Sequence, residues 1–316
     1  MVDVLQDHKI EDDGDVFTQL TKHKTEKPDL SKLRGKRVHN VSLGLLDSYF
    51  HLGAFLQNGK AYVYKDRGIV MRGHQGTCKT FLYESNPADL EDIKRLQNMS
   101  HIYTIKEFNG LPKKGSFMET LYDLDDVFDG TSYENAKKRY QRIVYPSKWL
   151  KSHNVRFFSL GPEHDEEIEL LHSKWRDYKM NQPATFRMMF PSKRYLHCAH
   201  LLTRPKLNVL NLNYRGWGWR DPHTDELWGV RVMYIEDDTA YDLAFFCNQW
   251  SAPSQLSNNV NFGLMDILRQ EGLKYLNCGS NTASKGLKDY KHHYPFIDYK
   301  SFHYSSLTGA MKAKKD

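Results

Sequence analysis

The sequence predicts an α/β (α+β) protein built from two tandem units, each a mixed, mostly antiparallel sheet flanked by helices, and three observations lead there. The 316 residues, 40% of them hydrophobic, are enough for about two domains of ~150 residues. Short runs rich in β-branched and aromatic residues are interleaved with segments of helical period in both halves. The second half then gives strand, helix, three or four antiparallel strands, helix, strand, helix and strand, an order with few alternatives.

Residues 1–35 carry acidic and then basic side chains with few large apolar ones, so they are expected to form a mobile arm. The first folded domain is expected over 36–130. It should contain a helix around Leu45 to Leu56, a hairpin from AYVYKD and GIVMRG, and a strand from Lys79 to Glu84. In NPADLEDIKRLQNM the apolar positions Leu90, Ile93, Leu96 and Met99 have a helical period, and HIYTIKEF reads as the next strand. A basic bridging helix follows over 131–154, capped by Thr131 or Ser132, carrying Lys137, Lys138, Arg139 and Arg142, and kinked or ended by Pro146. The second domain, 155–316, opens with the strand VRFFSL and the helix EHDEEIELLHSKWRDYKM. Four strand-like runs come next: YLHCAHLLT, LNVLNLNYR, ELWGVRVMYIED and TAYDLAFFCNQ, with turns at Asp221-Pro222 and Asp237-Asp238. The helix VNFGLMDILRQEG stops at Gly272, and KYLNCGS, KGLKDYKHH and IDYKSFHY complete the chain as strand, helix and strand.

Composition narrows the chemistry. A net charge of +6 and a pI near 8.9 favour polyanionic partners such as tRNA or DNA, with the densest positive charge in Lys137, Lys138, Arg139 and Arg142. A solvated helix face accounts for the same run. The cysteines Cys78, Cys198, Cys247 and Cys278 lack C-x-x-C spacing, so buried free thiols are expected. No H-E-x-x-H, G-x-S-x-G, Walker loop or G-x-G-x-x-G occurs, and no metal is expected. The acidic N-terminus and the absence of a long apolar run suggest a cytoplasmic protein with no membrane span.

One stretch carries most of the chemistry: LNCGSNTASKGLKDYKHHYP, from Leu276 to Pro295. A strand ending in Asn277, Gly279, Ser280 and Asn281 offers amide donors, and the following helix turns its positive end towards them. Lys285 and Lys288 suit a phosphate, and Tyr290 can give or take a proton. Asp242 is a carboxylate in an otherwise apolar strand, which needs a partner or a raised pKa; a structural hydrogen bond and a general-base role are both open. Arg231 alternates with Val230 and Val232 and can face a cleft. Trp217, Trp219 and Trp250 are candidates for stacking on a substrate, the alternative being core packing.

GLMDILRQEGLKYLNCGSNTASKGLKDYKHHYPFIDYKSFHY resembles the end of the C-terminal catalytic domain of phosphatidylglycerol lysyltransferases, and more distantly the FemABX peptidyltransferases. FDGTSYENAKKRYQRI is similar to the Gly-x-x-Tyr-x-x-Lys/Arg segment that joins the two halves of that domain. The resemblance implies two tandem GNAT-type folds and transfer of an acyl or aminoacyl group from an activated carrier to an amine or hydroxyl. It also implies a site where the strands AYDLAFFCNQ and KYLNCGS splay apart. The GNAT pyrophosphate loop before VNFGLMDIL is replaced by QWSAPSQLSNNVNFG, with Asn258 and Asn259 in place of paired glycines. Acyl-CoA and aminoacyl-tRNA are therefore both expected as possible donors. Modification of a DNA base, with Trp217 or Trp219 stacking on it, and a binding-only module are the competing functions.

Overall fold

The structure, a computed structural model, describes residues 61–64, 68–72, 78–82, 89–98, 100–104, 106–111, 113–129, 131–181, 192–208, 212–253, 255–280 and 285–307. The expected arm, the helix around Leu45 to Leu56, Met99 and Asn281 lie outside these residues. The chain divides into two compact units: Met118–Tyr299, and the described residues up to Phe117 together with those from Lys300 onward. The sequence pattern put its boundaries at 130 and 155; the units part instead within two strands, β5 (Lys113–Asp123) and β11 (Ile297–Tyr304).

In the first unit β1 (Ala61–Tyr64), β2 (Gly68–Arg72) and β3 (Cys78–Leu82) form an antiparallel meander. Helix α1 (Leu90–Gln97) then crosses over to β4 (Ser100–Thr104), parallel to β3, and the end of β11 pairs antiparallel with β4. Asp89 caps α1 by accepting from the Asp92 amide at 2.9 Å, a side chain satisfying an amide that the first helical turn leaves unpaired. Ile93 and Leu96, two of the expected periodic positions, pack with Leu82, Ile102, Phe302 and Tyr304, whereas Leu90 is exposed.

The second unit carries the sheet order β5-β10-β9-β8-β7-β6. From β5 the chain enters α2 (Leu124–Asp129), whose Asp125 and Asp126 amides are taken by the Asp123 carboxylate. The bridging segment departs from expectation in two ways. Its cap is Asn135, which accepts from the Lys138 amide at 2.9 Å, in place of Thr131 or Ser132. Pro146 does not end the helix either: α3 (Ala136–Arg139) widens into a π-helical turn, Tyr140–Val144, and Pro146 falls in the first turn of α4 (Tyr145–Ser152), where a missing N–H costs little.

After β6 (Phe157–Ser159) and α5 (Asp165–Met180), the run YLHCAHLLT, expected as a strand, lies in helix α6 (Ser192–Thr203). A short apolar run has no period that separates strand from buried helix, and packing decided here: Gly216 of the sheet lacks a Cβ, and Leu202 of α6 fills that space. The meander β7 (Tyr214–Arg220), β8 (Leu227–Glu236) and β9 (Thr239–Cys247) follows, with β8 buried from Leu227 to Ile235 as a central strand should be. Helix α7 (Leu256–Gln270), β10 (Tyr275–Ser280) and α8 (Lys285–Lys291) complete the unit around a core that includes Trp219, Met233, Phe262 and Leu276. The α/β class read from the sequence is the class observed, a mixed sheet flanked by helices.

Candidate active site

Two irregularities mark the place where neighbouring strands part. β10 runs parallel to β9 for three residues, Tyr275–Asn277 against Thr239–Tyr241, and the pairing then stops. On β9, Leu243 is an extra residue opposite β8, because Val232 pairs with Ala244 and Met233 with Asp242. On β10, the register against β5 shifts between Asn277 and Ser280, and Gly279 sits at φ +68°, where L side chains are strained. Bulges re-aim side chains and end pairing, and here they do so on both sides of one gap.

Asp242 and Cys278 stand where the strands part. Arg231, 3% exposed, donates from Nε and Nη2 to the two Asp242 carboxylate oxygens, each at 3.2 Å, and from Nη1 to Asn261 Oδ1. Burial alone would lower the Arg231 pKa; the adjacent Asp242 carboxylate more than offsets this and holds it above its ordinary value. Asp242 is 19% exposed, so this carboxylate is paired with Arg231 and still reaches solvent.

Helix α8 supplies the remaining groups. Lys291, 8% exposed, donates from Nζ to the Cys278 carbonyl, and burial holds its pKa below that of an ordinary lysine. Burial pushes the Tyr290 phenol up, within the fields of Arg231, Cys278 and Asp242. The Cys278 thiol is likewise pushed up to about 11 by burial. Below, Tyr122 of β5 donates to the Lys291 carbonyl at 2.5 Å and fixes the end of α8. Asn277 is buried; its Oδ1 accepts from the Gly279 amide at 2.8 Å, while its Nδ2 has no hydrogen-bond partner. The Gly279 amide is thus engaged, and the donor left over is the Asn277 side chain.

The structure brings together Arg231, Asp242 and Tyr290 from the sequence-predicted set, while Asn277 and Gly279 flank Cys278 on β10 and bond to each other. Lys285 and Lys288 are exposed on α8 and engage nothing in the gap; the buried lysine is Lys291. Ser280 ends β10. Asn258 is half-buried, and Asn259 is buried with an unpartnered Nδ2, both in the first turns of α7. Trp217 and Trp219 offer no ring face for stacking: they are 4% and 0% exposed, packed in the core, with Trp219 lying over Gly229. Trp250 is half-buried against Tyr178. The four basic residues of the bridging segment separate: Lys137 and Arg139 are exposed, Lys138 pairs with Glu134, and Arg142 turns inward onto His293. Sequence reasoning missed Lys291, Asn261 and Cys278. Lys291 was findable, because Leu287, Lys291 and Tyr294 fall at i, i+4 and i+7, the apolar stripe of a helix.

Among the described residues one group has metal-ligand geometry, Asp165, Glu169 and His200, and it lies outside the gap with Arg204 bonded to both carboxylates. No helix of the described residues is long and apolar enough to cross a membrane.

No protein-family model matches the sequence, and no curated protein does. Solved structures do match. L-PGS from Bacillus licheniformis aligns with a TM-score of 0.59 at 14% identity, over 92% of this chain and 97% of that one. A conserved protein of unknown function from Bacteroides thetaiotaomicron VPI-5482 gives 0.59 at 11% identity, over 86% and 94%. The C-terminal domain (DUF2156) of a putative lysylphosphatidylglycerol synthetase from Agrobacterium fabrum gives 0.52 at 12% identity, over 80% and 86%. At such identities the likeness is one of fold. The chain has the fold of the lysylphosphatidylglycerol synthetase C-terminal domain, which is the fold its closing motif led us to expect.

Proposed function

We propose that the protein transfers an acyl or aminoacyl group from an activated carrier to an amine, with the reaction centred where β9 and β10 part. The observation that carries this is a gap between parallel strands that gathers a paired but accessible carboxylate, a buried lysine and a buried, unpartnered amide donor. Each suits one requirement of the reaction. The carbonyl oxygen of the donor gains negative charge as the amine attacks, and a fixed donor such as Asn277 Nδ2 stabilises it. Tyr290, whose phenol burial keeps protonated, is a second donor rather than a base.

As the nitrogen–carbon bond forms, the amine must lose a proton. We assign its acceptor to Lys291 in place of Lys288, because burial favours the neutral amine of Lys291. The bond from the carbonyl carbon to the carrier oxygen or sulfur breaks, and the carrier atom leaves with a proton. Asp242, held bidentate by Arg231, orients the incoming ammonium before it is deprotonated. An aminoacyl ester on tRNA suits the chain better than acyl-CoA, because no glycine pair precedes α7 and the exposed Lys137 and Arg139 suit a phosphate backbone.

The test is a transfer assay by mass spectrometry with acetyl-CoA or lysyl-tRNA as donor and a panel of primary amines as acceptors, on wild type and Lys291→Met. We expect transfer that Lys291→Met lowers by about 10²–10⁴-fold, and a wild-type rate that rises with pH as the lysine deprotonates. Equal turnover in the two proteins would remove Lys291 from the chemistry. No transfer, together with no rise in melting temperature on adding either donor, would remove the transferase reading.

A further inference from the structure

The geometry points to a second binding site in the same unit, a cleft beside the end of α8 that takes the oxyanion of a small zwitterion on Arg142 and Tyr294. The cleft encloses about 450 Å³ and draws its walls from the start of α2, the bridging segment and residues 292–297. Arg142 comes from the π-helical turn, where the wider backbone re-aims a side chain that a regular helix would leave among the exposed Lys137 and Arg139. It is half-buried and contacts the His293 ring, and among the described residues no carboxylate lies within ion-pair range of it. Tyr294 lines the same cleft; it is 4% exposed, and its hydroxyl is buried with no hydrogen-bond partner.

A half-buried guanidinium with no carboxylate among the described residues and a buried O–H without an acceptor are each costly, and folded chains seldom leave two together. One oxyanion satisfies both: a carboxylate or phosphate accepts from the guanidinium and from the phenol at once. The other wall sets the rest of the ligand. Asp126 is exposed at the lip, while Asp123 is occupied in capping α2 and Glu134 in pairing with Lys138. A polyanion is repelled there, whereas a ligand carrying an ammonium group beside its oxyanion is matched at both ends. That this zwitterion is the amine acceptor rests on the transferase reading above; its binding does not.

Isothermal titration of the full chain, without any donor, separates the cases with three probes. L-alanine carries ammonium and carboxylate, phosphoethanolamine carries ammonium and phosphate, and L-alaninamide keeps the ammonium alone. We expect at least one zwitterion to bind at millimolar concentration or tighter, and L-alaninamide to bind at least about tenfold more weakly. Whichever zwitterion binds better identifies carboxylate or phosphate as the preferred oxyanion. Arg142→Gln should weaken the better probe roughly tenfold or more, and Tyr294→Phe severalfold, with unchanged circular dichroism. If Arg142→Gln does not fold, Tyr294→Phe is decisive by the same reading. Equal binding of L-alaninamide, no binding of either zwitterion, or wild-type binding by the folded variants would overturn the site. Because no transfer is measured, failure here leaves the proposed chemistry standing, and failure of the transfer assay leaves this result legible.

Discussion

Arg231 and Arg142 are both drawn away from solvent in the same unit, and they are treated in opposite ways. Arg231 is satisfied from within the chain: both Asp242 oxygens and Asn261 accept from it, and the carboxylate keeps its charge in place despite burial. Arg142 meets the His293 ring and the Tyr294 phenol, and burial draws its pKa down. The contrast teaches how to separate scaffold from site. A cation whose anion is built into the fold organises the side chains around it, as Arg231 holds Asp242 at the edge of the gap. A cation with no anion among the described residues, as Arg142 is, leaves a place for something that arrives.

The two arginines should differ most when Asp242 is removed. Asp242→Ala leaves Arg231 as an uncompensated buried charge and should cost about 3–5 kcal/mol in urea unfolding. Replacing both partners together, Arg231→Met with Asp242→Leu, should recover most of that loss, since no charge then remains to be solvated. A double variant no more stable than the single one would show that the pair does not govern this region.

A smaller effect is expected with pH. The Cys278 thiol ionises at about 11 in the fold against an ordinary 9.0, so in that interval the unfolded chain gives up its proton first. Its contribution is full below pH 9 and lost as pH rises towards 11. Cys278→Ser should flatten the decline in stability across that window, and a decline of unchanged steepness would refute the assignment.

The other arginine should behave oppositely to Arg231. Arg142→Gln orphans no carboxylate and should change stability by under about 0.5 kcal/mol, although it affects binding in the cleft. A loss comparable to that of Asp242→Ala would mean that Arg142 is scaffold after all. The smallest change belongs to Lys288→Ala. This residue is exposed, and both unfolding midpoint and transfer rate should stay near wild type, in contrast to Lys291→Met.

Much of this was legible in local pattern. The hairpin AYVYKD/GIVMRG, the helix after Pro87, the strands in ELWGVRVMYIED and TAYDLAFFCNQ and the closing strand-helix-strand follow from periodicity and turn residues, which act over a few positions, whereas the strand expected in LNVLNLNYR falls later, at Tyr214–Arg220. Asp242 and Arg231 announced themselves as charges at apolar positions. The run YLHCAHLLT did not reveal its helix, because nothing local reports that Gly216, later in the chain, leaves room for Leu202. Trp217 and Trp219 drew attention as aromatics among arginines, yet the glycine at 229 gives the Trp219 ring a place in the core.

The sequence alone determined the α/β class and the closing run of helix, strand, helix and strand, because hydrophobic period and turn chemistry are local properties. Tertiary structure decided the rest. It parted β9 from β10 after three residues, buried Lys291 and left Lys288 in water, and turned Arg142 inward on a π-helical turn. These outcomes depend on bulges and on which side chains share a small volume, and such contacts join residues tens of positions apart that no local pattern relates.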